Sequence, residues 1–196
     1  GLGSESGNPG NLVNPVENAR LRIFLTNSLE EFSEATGTLW AMELSNESRE
    51  ADFIKRDCPV MVVMGNPPYS GISQNNGEWI TKMVNEYKYT DGVHFGEKKH
   101  WLNDDYVKFI RLGQEFVTRG GSGVLAFITN HKFLDNVTFR AMRWNLLRAF
   151  DEIYILDLHG DTEENKTLDI KDENVFDIKK GVSISLFVKN AFSLFL

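Results

Sequence analysis

Residues 59–71 read Pro59-Val60-Met61-Val62-Val63-Met64-Gly65-Asn66-Pro67-Pro68-Tyr69-Ser70-Gly71. Residues 59–64 form an unbroken apolar run, the pattern of a strand buried on both faces, as in parallel sheets. The run stops at Gly65, and no strand or helix continues through two consecutive prolines. A polar motif at the carboxyl end of such a strand stands where open α/β sheets bind ligands.

Working outward, Leu21–Thr26 (LRIFLT) alternates apolar and polar residues and predicts a strand. Residues 47–56 predict a helix that Pro59 stops. Residues 71–100 are polar and rich in Gly and Asn, with Trp79, Tyr87, Tyr89 and Phe95 interleaved, and read as a long functional loop. Residues 103–118 predict an amphipathic helix with Tyr106, Phe109, Ile110, Gly113, Phe116 and Val117 on one face. Asp104 and Asp105 stand at its start, where the helix dipole favours negative charge. A Gly-Gly-Ser-Gly turn leads to a strand over 124–128, then a helix over 136–149 and a buried strand over 153–158. The acidic stretch 161–177 reads as a solvated loop, and 182–188 as a last alternating strand. Strand and helix in alternation predict a mainly parallel α/β sheet. The last strand has no crossover helix before it, so it is expected antiparallel, at an edge.

The 196 residues weigh 22.3 kDa and are 41% hydrophobic, enough for one ordinary core. With 25% charged residues and 12% aromatics, wholesale disorder is excluded. No apolar run is long enough to cross a bilayer, and residues 1–14, Gly/Asn/Ser-rich, read as a flexible lead-in rather than a secretion signal. Residues 15–190 are assigned to one catalytic part, and 191–196 to a tail. A single cysteine, Cys58, forms no internal disulfide and suits a reducing, cytoplasmic setting. His94, His100, His131 and His159 lack metal-ligand spacing, so no metal is expected.

Net charge is −7, unevenly spread: residues 1–97 carry −7, 98–148 carry +5, and 149–196 carry −5. A chain devoted to gripping nucleic acid is usually basic as a whole. This one offers a local basic segment, in which Lys132, Arg140 and Arg143 are candidate phosphate contacts.

The chemistry lies in Asn66-Pro67-Pro68-Tyr69. Two prolines fix φ and remove two amide donors, leaving a rigid rim. An outward carbonyl and the Asn66 side-chain oxygen are two adjacent acceptors, which match the two hydrogens of an NH2 group. Tyr69 adds a flat face for a planar base or amide. The motif is suited to a planar, amine-bearing group.

An NPPY tetrad closing a hydrophobic strand resembles motif IV of S-adenosylmethionine-dependent amino-methyltransferases. The likeness extends through LRIFLTNSLEE, KRDCPVMVVMGNPPYSG, GSGVLAFITN with FRAMRWNLL, and DEIYILDL, over about residues 15–190. It is similar to N6-adenine DNA methyltransferases of the large single-chain restriction-modification enzymes with a fused helicase. The resemblance implies a partial Rossmann-like class I methyltransferase fold, mainly parallel with an antiparallel last strand. It implies that Asn66 and the Pro67 carbonyl accept from the adenine N6, with Pro68 completing the rim. Tyr69 would stack on a base flipped out of double-stranded DNA, and Phe139 would supply a second stacking aromatic. Asn27 falls where the family, usually with Asp, contacts the cofactor's adenine. The family's main S-adenosylmethionine loop, the acidic residue for its ribose and a target-recognition domain are not found in the sequence. A fragment of a longer polypeptide is therefore expected, inactive alone, with its cofactor-binding, helicase and nuclease regions elsewhere. The strands implied between LRIFLT and PVMVVM are also missing. Either those two segments pair, or the exposed edge pairs with a second copy.

Protein glutamine and RNA guanine-N2 methyltransferases carry the same tetrad, since each presents a planar NH2. A nuclease built on Glu164, Lys166, Asp157 and Asp161, or a non-catalytic binding module, are the rivals of another class.

Overall fold

The computed structural model describes residues 21–24, 26–31, 49–69, 71, 73–96, 100–161, 174, 176 and 178–191, with only the backbone at 100 and 101. The lead-in 1–14, Lys98, Lys99, the nuclease-like pair Glu164 and Lys166, and all of the tail but Ala191 lie outside these residues.

Helix α1 covers 49–56 and is closed by amides of Asp57 and Cys58 on the Phe53 carbonyl. The apolar run yields β1, Val62–Gly65. Helix α2, Glu78–Asn85, follows, and then a small hairpin of β2, Tyr89–Thr90, and β3, Val93–His94. Helix α3, Asp105–Gly120, leads to β4, Gly123–Asn130. Helix α4, Arg140–Ala149, leads to β5, Glu152–Asp157, and the chain returns as β6, Val182–Lys189.

Among the described residues four strands form one sheet in the order β1-β4-β6-β5. Strand β4 runs parallel to β1, and β6 runs antiparallel to both β4 and β5. Strands β1, β4 and β5 therefore point the same way, and β6 alone is reversed. The expected antiparallel last strand is present, but it is inserted between β4 and β5 rather than placed at the edge. It makes eight residue pairs with β4 and six with β5, so an interior position satisfies its backbone on both sides.

Three expectations are corrected. Residues 21–24 and 26 of LRIFLT adopt no regular structure, and among the described residues β1 pairs with β4 only, so those residues do not move over to pair with it. Leu21 and Ile23 keep 76% and 82% of their surface, so the alternation found no sheet to join. The run 59–64 is not buried on both faces, because Val62 and Met64 lie on the face away from α3 and α4 and are exposed; among the described residues β1 also stands at the sheet edge. Strand β5 is likewise an edge strand with Tyr154, Ile155 and Leu156 exposed, and a cavity of about 250 Å³ remains between it and α4.

Helices α3 and α4 share one face of the sheet. There Leu125, Phe127 and Phe187 join Ile110, Val117, Met142 and Leu146 in the core. Gly113 lets α3 approach closely, since a Cβ there would lie 2.4 Å from Leu125 Cδ1. The polar stretch 71–100 is also more ordered than predicted: Ile80, Val84 and Tyr87 are buried in the same core, with Tyr87 donating to Gln114 at 2.7 Å.

Candidate active site

Asn66 follows the last residue of β1, so the tetrad hangs from the carboxyl end of the sheet. Asn66 and Pro68 are exposed, Pro67 is buried, and Tyr69 is half-buried against the core. Burial raises the Tyr69 phenol above its usual value.

Residues 66–69 belong to no helix or strand, and charged side chains fix the turn beyond Tyr69. Gly71, at φ +81°, turns the backbone so that its N–H reaches Asp104 Oδ2 at 3.1 Å. Asp104 is the N-cap residue of α3 and makes no side-chain cap to its own helix. Its carboxyl is 3% exposed and Oδ1 has no hydrogen-bond partner. Burial raises its pKa, against the lowering effect of Lys180 and of the Asp105 and Gly71 amides.

One residue further, Asp105 Oδ1 accepts from Ser73 Oγ and from Asn75 Nδ2 at 2.9 Å. Lys108, fully buried, donates to Ser73 Oγ at 2.8 Å, to the Asn75 carbonyl, and to Asn76 Oδ1 at 3.3 Å. Desolvation lowers the Lys108 pKa, while Asp105 and Asp104 oppose that shift. An ammonium with no water around it needs such acceptors, and they make the loop after the motif rigid.

Lys180, just before β6, donates to the Tyr69 carbonyl at 3.2 Å. Phe176, 39% exposed, stands four residues before it on the same β5–β6 connection. Asp104, Lys108 and Lys180 are the site neighbours that sequence reading missed. Only Asp104 carried a local signal, its position at a helix start.

Phe139 is not brought to the motif's surface. It is 3% exposed, with its ring 6.3 Å from that of Tyr106, and offers no open face to a base. The physical reason is that it opens α4 on the side facing α3, where the core takes it.

Asn27 does lie beside the site, with Nδ2 donating to Asn75 Oδ1 at 2.8 Å. Its oxygen accepts from the Leu29 amide at 3.1 Å. An amide has two donor hydrogens and two acceptor lone pairs, so these two bonds leave Asn27 capacity for a further polar partner.

Of the candidate phosphate contacts, Arg140 is exposed, with its guanidinium 5.2 Å from the Phe95 ring centre. Arg143 donates from Nη1 to the carbonyls of Phe133 and Asn136 at 2.8 and 2.9 Å, and desolvation lowers its pKa. Lys132 lies 3.6 Å from Asp161. No cluster of three or more His, Cys, Asp and Glu suited to a metal occurs among the described residues. Among them, too, no helix is long and apolar enough to cross a membrane.

The family model described as Eco57I restriction-modification methylase matches residues 14–163. Among solved structures, the chain is similar to the ATP-dependent Type ISP restriction-modification enzyme LlaBIII bound to DNA. That match has 28% identity and a TM-score of 0.70, covering 86% of this chain and 11% of that one. DrdV in its DNA complex matches at 30% identity and a TM-score of 0.61, covering 76% of this chain and 15% of that one. A nuclease-deletion mutant of the Type ISP enzyme LlaGI, in complex with a DNA substrate mimic, matches in fold at 23% identity. Its TM-score is 0.63, covering 85% of this chain and 14% of that one. The chain thus spans about a tenth to a seventh of the length of these proteins. No curated protein sequence matches it.

Proposed function

Since the chain belongs to the Eco57I restriction-modification methylase family and has the Rossmann-like methyltransferase fold, we propose that it serves the acceptor side of methyl transfer to adenine N6 in DNA. The observation that carries this reading is the exposed Asn66 beside Pro67 and the half-buried Tyr69, on a loop that Asp104, Lys108 and Lys180 make rigid.

An exocyclic amine is a poor nucleophile because its lone pair is spread into the ring. Acceptors at Asn66 Oδ1 and the Pro67 carbonyl favour a pyramidal nitrogen and stabilise the positive charge that develops on it. Pro68 keeps the rim from relaxing, and Tyr69 supplies the stacking face for a base taken out of the duplex. Arg140 is the retained phosphate contact. S-adenosylmethionine, the donor implied by the family, supplies an electrophilic methyl carbon. Its binding, the target sequence and any helicase or nuclease activity are assigned to other parts of a longer polypeptide.

The test uses the full-length polypeptide with tritiated S-adenosylmethionine and unmethylated DNA, total RNA and cell protein. Wild type is expected to label DNA as N6-methyladenine. Asn66→Ala is expected to lose about 100-fold or more of that transfer, as removal of one oriented polar group from a transition state does. Label in protein glutamine or RNA guanine instead overturns the adenine assignment and keeps the amine chemistry. Equal losses of transfer and melting temperature in Asn66→Ala remove its catalytic role. Arg140→Ala is expected to weaken binding to all DNA sequences alike and to reduce the salt slope by about 1.

A further inference from the structure

Lys180 is held in place before its side chain reaches the motif. Asn174 Nδ2 donates to the carbonyls of Gly160 at 3.1 Å and Lys180 at 2.6 Å, pinching the ends of the β5–β6 connection together. The His131 amide donates to the Gly181 carbonyl at 3.1 Å, tying the following residue to the end of β4. From this fixed backbone the Lys180 ammonium reaches Tyr69 O, 111 positions earlier in the chain. It also packs at Gly71, where a Cβ would lie 3.7 Å from Nζ. On the other side of the turn, Asp104 Oδ2 holds the Gly71 amide. A cation from one element and a carboxylate from another thus grip the backbone on either side of residue 70.

We propose that Lys180 is a positioning residue for base capture: by holding the Tyr69 carbonyl it keeps the Tyr69 ring and the Asn66–Pro67 acceptors in one orientation, and it ties that orientation to the segment bearing Phe176. The inference rests on the methyl-transfer reading above. Lysine suits the task for two reasons. Its ammonium is a strong donor to a neutral carbonyl. Its charge also faces Asp104, a buried carboxylate with one unpartnered oxygen. A methionine of similar length fills the space but leaves Tyr69 O without its donor and removes one of the positive charges near Asp104. The ring then samples several orientations, and a flipped base is captured less often.

The test compares wild type, Lys180→Met and Lys180→Arg in the full-length polypeptide. The probe is duplex DNA carrying 2-aminopurine in place of the adenine that wild type methylates. Lys180→Met is expected to lose most of the fluorescence rise on binding and about tenfold in kcat/KM for DNA. Affinity for S-adenosylmethionine should stay within about twofold, and melting temperature within about 2 °C. Lys180→Arg, which keeps a cationic donor, is expected to recover most of both losses. Wild-type fluorescence and kcat/KM in Lys180→Met overturn the proposal. So does a fall in donor affinity and melting temperature that parallels the activity, which marks a merely structural lysine. An arginine variant no better than methionine overturns it as well. A wild type that moves no methyl to adenine sinks the methyl-transfer reading first, on the wild-type data alone, and the positioning role with it.

Discussion

On one face of the sheet Leu125, Phe127 and Phe187 are at most 4% exposed beneath α3 and α4, while on the other Val62, Met64, Tyr154, Leu156 and Leu186 keep 39–76% of their surface. The two sets alternate along the same strands. Phe187 pairs with Leu125 and Ile153, and its neighbour Leu186 pairs with Ala126 and Tyr154. Hydropathy does not separate them, because both faces are apolar. What separates them is that one face has two helices packed on it. Burial stabilises a side chain only where something covers it, at about 25 cal/mol per Å² of apolar surface removed from water.

The comparison is broken most directly by truncating neighbours that face opposite ways. Phe187→Ala is expected to cost about 3–5 kcal/mol in urea unfolding, because it empties a packed site. Leu186→Ala, one residue away, should cost less, about 1–2 kcal/mol, since that side chain keeps 39% of its surface in water. Equal losses would mean that both faces are covered in solution.

Overpacking sharpens the same point on the covered face. Gly113→Ala places a methyl 2.4 Å from Leu125 Cδ1 and is expected to cost about 1–3 kcal/mol. Combining it with Leu125→Ala should cost less than the sum of the two single changes, because the clash is gone. Strict additivity would place the strain elsewhere.

The smallest stability change is expected on the open face. Met64→Lys with Leu156→Lys should leave the unfolding free energy within about 0.5 kcal/mol. The pair should also reduce concentration-dependent self-association in sedimentation, because exposed edges and apolar patches are where chains pair. Unchanged association would exonerate this face and its β1 edge.

Legibility followed the range of the interactions. Strands β4 and β6 and helix α3 were readable because side-chain periodicity is a local property. The stretch 71–100 was misread as loop, although signals were present. Ile80, Val84 and Tyr87 recur at helical spacing, and Asp91-Gly92 between Tyr89-Thr90 and Val93-His94 is a tight-hairpin signature. Both turn residues take positive φ, at 49° and 80°. Polar neighbours masked both patterns. LRIFLT shows the opposite error: a strand-like alternation with no paired neighbour stays irregular.

The site divides in the same way. Asn66, Pro67, Pro68 and Tyr69 and their position after a strand were legible, because prolines fix φ and remove donors wherever they stand. That Phe139 is buried was not legible, because sequence assigns an aromatic to a helix but not to a side of it.

By itself the sequence determined the tetrad, its strand and the alternation of elements that makes an α/β sheet, all consequences of backbone sterics and side-chain period. Only the tertiary structure decided that β6 lies inside the sheet and that one apolar face is covered while the other is open. It also decided that Asp104 and Lys180, 33 residues from Gly71 and 111 from Tyr69, grip the motif. The reason is physical: a hydrogen bond or a burial needs its partner within a few ångströms, and only the folded sheet brings such distant residues that close.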